Sequence, residues 1–431
     1  SAAFDITAAA PNHLAFTTQP VTNAAGASIA AQVTVKDAAN ATVTGFVGSV
    51  TVGIVAGTGT SGATLSGTVS VAAVNGVANF SLSINKKGTG YKLSATAPTV
   101  SGATSSGFNI NAGAAALVVF TNDPGLATAG ATIPGVSGPA VQVTIEDALG
   151  NLVSSSTANV TVAISTNPGD GTLSGTATVA AVAGVATFSN LSIDKAGAGY
   201  RLQASSTSLS PDISQAFSVN AAAADHLNFT VAPSNAVAGV AIAPAVTVTA
   251  FDTFNNVATG FSGSVTVAIV TGKVGATLSG TKTKTASSGV VSFTDLSIDS
   301  AGTGYTLSAV SGALSAPTST TFNISPGAAS KLVFIVQPAN TAVNTNITPA
   351  VKVAAQDGLG NLVTSFTGSV VIAKEPGSPA GTLTGTLTRT AVAGVSTFDD
   401  LKIGTANNGF RLRATSTGLT LATSALFNIT P

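Results

Sequence analysis

The 431-residue chain is built from four copies of one unit, and this internal repetition limits its fold more than any other feature. Six landmarks recur in fixed order. An aromatic is followed four residues later by proline at Phe16/Pro20, Phe120/Pro124, Phe229/Pro233 and Phe334/Pro338. An aspartate then closes an apolar alternating run at Asp37, Asp147, Asp252 and Asp357. A T-L-S/T-G signature has its leucine at Leu65, Leu173, Leu278 and Leu383, and a further aromatic follows at Phe80, Phe188, Phe293 and Phe398. A glycine-aromatic step ends at Tyr91, Tyr200, Tyr305 and Phe410. An F-x-[IV] triplet then begins at Phe108, Phe217, Phe322 and Phe427, at spacings of 109, 105 and 105 residues. The landmarks place repeats at 12–114, 115–223, 224–328 and 329–431, with 1–11 read as the orphan final strand of a preceding unit plus a linker.

Within a copy the period is two. Val246-Thr-Val-Thr-Ala-Phe251 and Ser264-Val-Thr-Val-Ala-Ile269 alternate apolar and hydroxyl residues, as half-buried strands do. Gly- and Asn-rich turns separate such runs, giving about seven strands per unit and no amphipathic helix, the pattern of an antiparallel sandwich. Proline after the first strand suits an edge strand that breaks and crosses between sheets. The fold predicted is all-β: four tandem antiparallel β-sandwiches in an extended rod, since links such as Asn111-Ala-Gly-Ala-Ala-Ala116 are short and Ala-rich.

Composition removes whole classes of function. Cys, Met and Trp are absent and there are two His, so thiol catalysis, disulfide scaffolds and Cys/His zinc sites have no material. Charged residues are 7% of the chain, against roughly 25% in an average soluble protein. Sixteen Lys and Arg balance sixteen Asp and Glu, which leaves no basic stripe for nucleic acid. Mean hydropathy is +0.48, yet the most apolar stretches, Ala112–Phe120 and Ala236–Val246, fall short of the ~20 residues a spanning helix needs. No basic segment followed by an apolar one opens the chain, so a signal peptide is expected to be removed or to lie outside this piece.

The stretch Asp299-Ser-Ala-Gly-Thr-Gly-Tyr305-Thr-Leu307 resembles the tyrosine corner of immunoglobulin folds, in which a Tyr hydroxyl bonds back to the backbone. All three tyrosines, Tyr91, Tyr200 and Tyr305, hold this position, and Phe410 departs from it. Leu93, Leu202, Leu307 and Leu412 stand two residues on, where antibody domains carry a cysteine. Further residues carry a broader likeness: Val143-Thr-Ile-Glu-Asp-Ala-Leu-Gly-Asn151-Leu-Val, Val353-Ala-Ala-Gln-Asp-Gly-Leu-Gly-Asn361-Leu-Val, and the runs Ala181–Phe188 and Ala391–Phe398. On these the chain is similar to the bacterial immunoglobulin-like (Big) repeats of invasin- and intimin-type surface proteins. The resemblance implies extracellular sandwiches strung into stalks at the cell surface, and it implies no binding specificity. Asp37-Ala-Ala-Asn40 lacks the glycine of the shared turn, and Asp252-Thr-Phe-Asn-Asn256 has Asn in its place.

Candidate chemistry is sparse. His13 and His226 occupy one first-strand position, where the other copies place Leu117 and Lys331, so a structural role is expected. Glu146-Asp147, Asp399-Asp400 and Asp295…Asp299 pair carboxylates, but adjacent strand residues point to opposite faces, and solvated turns are the expected setting. Asp37, Asp147, Asp252 and Asp357 offer one acid per copy; calcium wants six to eight oxygens, whereas an Asp bonding its own turn backbone explains them with less. No cofactor or metal is expected. Eight sequons, at Asn40, Asn79, Asn159, Asn190, Asn228, Asn323, Asn346 and Asn428, leave glycans open as a surface decoration.

The functional expectation is therefore a non-catalytic extracellular structural protein, part of a stalk, filament, sheath or envelope layer. The alternatives are an adhesin module for carbohydrate or a receptor, and accessory repeats of a larger secreted enzyme. A binding unit should carry a distinctive loop. The largest difference, roughly four extra residues in the second copy, reads as distributed and aromatic-poor, which favours the structural class. A neutral surface and sparsely charged strand edges predict self-association through edges or chain ends. Phe4-Asp5-Ile6-Thr7 repeats the F-x-[IV] strand a fifth time and is the candidate intersubunit strand.

Overall fold

The computed structural model describes Ala3 and Ala10–Pro431, so the strand expected at Phe4, Asp5, Ile6 and Thr7 lies outside the described residues. Backbone contacts divide the chain into two compact units, Ser1–Asn220 and Ala221–Pro431, each carrying two repeats. The described secondary structure is all strand, and no helix is long and apolar enough to cross a membrane.

The third repeat shows the plan. His226–Val231, Val246–Phe251 and Val290–Phe293 form one antiparallel sheet. The facing sheet has the spatial order Ala236–Val237, Phe322–Ser325, Gly302–Ser311, Ser264–Thr271, Thr283–Thr285. The first strand ends ahead of Pro233, which has no N–H to continue the ladder. The chain then crosses to the other sheet, where Ala236 and Val237 run parallel to Ile324 and Ser325. A first strand shared between two sheets and paired in parallel with the last is the immunoglobulin-like arrangement. The parallel step recurs at Asn23–Ala24, Ala127–Thr128 and Thr341–Ala342.

Alternation places the core. Val246, Val248 and Ala250 face Val265, Val267, Leu307 and Ala309 across the two sheets, all essentially buried, while intervening hydroxyl residues such as Thr266 and Thr283 bond one another on the outer face. The first and fourth repeats each enclose a separate cluster of the same kind. Such self-contained cores are what ~100-residue sandwiches require.

At the recurring tyrosine the ring is fully buried beside the phenylalanine of the last strand, with centroids 5.8–6.0 Å apart. The hydroxyls of Tyr91, Tyr200 and Tyr305 donate to the carbonyls of Lys86, Lys195 and Ser300, five residues upstream, at 2.7–2.9 Å. Burial raises the Tyr200 and Tyr305 phenols above their ordinary pKa, so both remain donors at physiological pH. Phe410 keeps the ring contact with Phe427, and the Lys374 ammonium lies 5.8 Å from its centroid. Gly59, at φ +68°, lies so close that a Cβ there would sit 2.1 Å from the Tyr91 ring, so only glycine fits.

A second recurring bond lies beside this ring. Ser105, Ser214, Ser319 and Ser424, each three residues ahead of the last-strand phenylalanine, are buried. Each accepts from the N–H of Leu93, Leu202, Leu307 or Leu412 at 2.9 Å and donates to the next carbonyl.

One expectation is corrected. The extra residues of the second repeat are not distributed but form one loop at Gly135–Gly138. It is built on the buried Asn122, whose Nδ2 donates to Ala140 O and whose Oδ1 accepts from Ser137 N. The Val136 N–H donates to Asp123 O, folding the loop back on the first strand.

Tyr305→Phe is expected to cost the third repeat about 1–2 kcal/mol, because Ser300 O loses its buried donor. Ser319→Ala should cost about as much or more by stranding the Leu307 N–H. Hydrogen exchange of Gly302–Ser311 amides measures both; unchanged rates would mean that neither bond is worth its burial.

Candidate functional site at the repeat junctions

The aspartate that ends the second strand of each repeat sits at the end where the chain enters. Its carboxylate organises a four-residue turn. Asp147 Oδ1 accepts from the N–H groups of Leu149 and Asn151, both at 2.9 Å, and Oδ2 accepts from Gly113 N in the incoming link at 2.7 Å. In the fourth repeat Asp357 takes Leu359 N, Asn361 N and Gly327 N in the same way, and in the third Asp252 takes Phe254 N, Asn256 N and Ala222 N. The left-handed position of the turn is held by Asn40, Gly150, Asn255 and Gly360. Asn40 is thus the counterpart of the glycine, and the first repeat has Ala41 where the others have the final asparagine.

These carboxylates are 0–4% exposed. Burial alone would raise their pKa, but the hydrogen bonds from Asn151, Asn256 and Asn361 and from the links outweigh it, and Asp147, Asp252 and Asp357 all lie below the ordinary value. Oxygens committed to backbone N–H groups suit a turn rather than an ion. Among the described residues no group of three or more His, Cys, Asp or Glu could hold a metal.

The asparagine carries the turn across the junction. Asn151 Nδ2, steadied by the Asp147 carboxylate, donates to Asn85 O of the first repeat at 2.9 Å, and its Oδ1 accepts from Lys87 N at 2.9 Å. Asn361 repeats both bonds, to Asp299 O at 2.9 Å and from Ala301 N at 2.8 Å. Next to it, Leu149 and Leu359 rest on Gly26 and Gly239, where a Cβ would lie 3.0 and 2.9 Å from the leucine Cδ1. We refer to the Leu/Asn pair and the Gly turn with its backbone groups as plug and socket. The two junctions differ in one respect. Lys87 Nζ adds a bond to Leu152 O at 2.6 Å, and the cleft beside it measures about 450 Å³. Ala301 replaces that lysine between the third and fourth repeats, where the cleft opens to about 730 Å³.

The other candidates are placed individually. His13 bonds Asn12 and Asn40, and His226 pairs with Asp225 at 3.2 Å while stacking on Phe251. Asp295, Asp299 and Asp400 cap Thr281, Thr277 and Thr386, hydrogen bonds that lower their pKa, and Asp399 pairs with Arg389 at 2.6 Å. Carboxylates whose pKa is lowered as at Asp295, Asp299 and Asp400 are unsuited to act as general acids. Of the sequon asparagines, Asn323 and Asn428 accept from Gly304 N and Gly409 N.

No family model and no curated protein matches the chain. Among solved structures it is similar to FdeC, an Escherichia coli adhesin, at 19% identity and TM-score 0.35, over 74% of this chain and 98% of that one. It is similar to invasin, a bacterial integrin-binding protein, at 13% identity and TM-score 0.31, over 96% and 78%. The surface layer protein SbsC, domains 1–6, gives 14% identity and TM-score 0.23, over 97% and 54%.

The lowered aspartate pKa values set the sign of an acid effect. The folded values lie below the ordinary 3.8, so the stabilisation is complete above that pH and is lost as pH falls through the folded-state values beneath it. Melting temperature should be flat at neutral and mildly acidic pH and fall steeply below 3.8. Asp357→Asn should lower stability at neutral pH and shrink the acid loss; an unchanged acid profile would remove Asp357 from the account.

Proposed function

We propose that this chain is a non-catalytic structural repeat protein of the bacterial cell surface, part of a stalk, filament, sheath or envelope layer, in which the sandwiches act as spacers. The observation that carries the reading is the plug-and-socket junction. A buried side chain of one repeat spends both its donor and its acceptor on the backbone of the repeat before it. Two backbone bonds and a leucine seated on glycine restrict bending, which a spacer needs and a set of independently tethered modules does not. The chemistry-bearing side chains support the same reading, because the paired carboxylates and histidines are engaged in turns and caps. Surface location comes from the sequence resemblance. One feature favours an adhesin role alongside it: the Gly135–Gly138 loop leaves Val136 69% exposed and the nearby Leu126 64% exposed.

The absence of cysteine makes the test direct. Spin labels at Ser287→Cys and Val392→Cys, on matching exposed hairpins of the third and fourth repeats, should give a narrow distance distribution. Asn361→Ala should broaden it while leaving the unfolding of the third repeat unchanged; the fourth repeat also loses the Asn361 hydrogen bond to Asp357. A broad distribution in the parent chain would defeat the spacer reading.

A further inference from the structure

The residues of the plug and socket are not the same in every repeat, and they depart most at the end of the fourth repeat and the start of the first. The socket's glycine can be aligned by a backbone bond: the N–H groups of Gly26, Gly130, Gly239 and Asn344 donate to the carbonyls of Ile84, Ile193, Ile298 and Ile403 at 2.9–3.0 Å. Three repeats therefore carry glycine at the position that receives Leu149 and Leu359 in the junctions described, at φ between +74° and +78°, and the fourth carries Asn344 at φ +60°. Asparagine tolerates this left-handed backbone, but it brings a Cβ to the place where a leucine Cδ1 approaches within 3.0 Å in the junctions described. Asn344 Oδ1 also lies over Gly404, 3.2 Å from where a Cβ of that residue would be. Gly404 occupies the position whose carbonyl, at Asn85 and Asp299, receives the clamp. The side chain thus stands at the glycine's place and beside Gly404.

The outer end of the first repeat departs at the plug. Ala39 stands where the other repeats have Leu149, Phe254 and Leu359, and Ala41 where they have Asn151, Asn256 and Asn361. The aspartate turn itself is intact, with Asp37 Oδ1 accepting from Ala39 N and Ala41 N at 2.9 Å. What is lost is the pair that reaches a neighbour. The His13 ring instead closes over the turn through Asn40 at 3.1 Å.

We infer that the start of the first repeat and the end of the fourth are caps: surfaces that do not accept another repeat of this type, or the end of a second copy of this chain, through the plug-and-socket contact. A domain adjoining either end is joined without the clamp, and copies of the chain do not stack end to end by this contact. The inference rests on the proposed role of the junction.

A five-repeat chain tests it. Residues 327–431 are appended after Pro431 of the full chain, which reproduces the spacing of the link after Pro326. Spin labels replace Val392 and its counterpart in the added copy. The cap predicts a distance distribution several-fold broader than that of the Ser287→Cys/Val392→Cys pair. Asn344→Gly should narrow it to match. A narrow distribution with Asn344 in place, or no narrowing on Asn344→Gly, would overturn the inference. The Ser287→Cys/Val392→Cys pair separates the two levels: if it is narrow, only the cap is at stake, and if it is itself broad, the spacer reading fails and the cap with it.

Discussion

A carboxylate cannot be buried cheaply unless every lone pair it turns inward meets a donor. In this chain that requirement sets the geometry of the repeat entry. Asp147 and Asp357 meet it with N–H groups from two places, their own turn and the incoming link. The direction in which one repeat hands over to the next is thereby tied to the end of the second strand. The asparagine four residues on is held by the same carboxylate, so its amide reaches the preceding repeat already oriented. An amide fixed in advance loses little freedom on bonding, and a bond of that kind retains more of its value than one made by a mobile surface side chain.

The same economy runs through the rest of the charge. Charged residues are 7% of the chain, so few are available to guard strand edges. The edge strands Ser70–Ala72, Thr178–Ala180, Thr283–Thr285 and Thr388–Thr390 are three residues each, and short edges are themselves a defence against pairing. The middle residue is Lys284 in the third repeat, whose Nζ donates to Ser292 O, and Arg389 in the fourth, paired with Asp399. In the first two repeats it is Val71 and Val179. Edge protection is thus uneven along the chain, a feature that the mean charge conceals.

Strands, sheet crossings and core faces were legible because they depend on alternation and on proline, which one sequence displays directly. The aspartate turn was legible in part. Its reading as a self-bonded turn follows from Asp with Gly or Asn behind it, but the reach of Asn151 and Asn361 across the junction does not. Their partners are the backbone atoms of Asn85, Lys87, Asp299 and Ala301, and a backbone partner leaves no mark on residue type. Comparing the turns position by position would have exposed the signal, since Ala41 interrupts an otherwise constant asparagine. The buried serines were hidden by abundance; among so many Ser and Thr, a serine three residues before phenylalanine does not stand out. In the sequence the loop of the second repeat looks distributed because small residues on both sides let the alignment slide, whereas Asn122 fixes it to Gly135–Gly138.

Joining repeats through backbone atoms has a consequence for how such a chain varies. A socket made of a carbonyl, an N–H and a glycine accepts the plug whatever neighbouring side chains become, so Lys87 can be exchanged for Ala301 and the clamp bonds persist at 2.8–2.9 Å. What changes is the filling around it: a third bond and a smaller cleft at one junction, an open cleft at the other. Stability in repeat arrays approximates a sum of repeat terms and nearest-neighbour terms. Here the repeat term resides in the aromatic pair, the buried serine and the alternating core, and the neighbour term in one asparagine and one leucine. The two sets meet at the aspartate and at the asparagine bonded to it. Changes at Leu149 or Leu359 therefore act on alignment, changes at Tyr91 or Ser105 act on the repeat itself, and the aspartate with its asparagine couples the two.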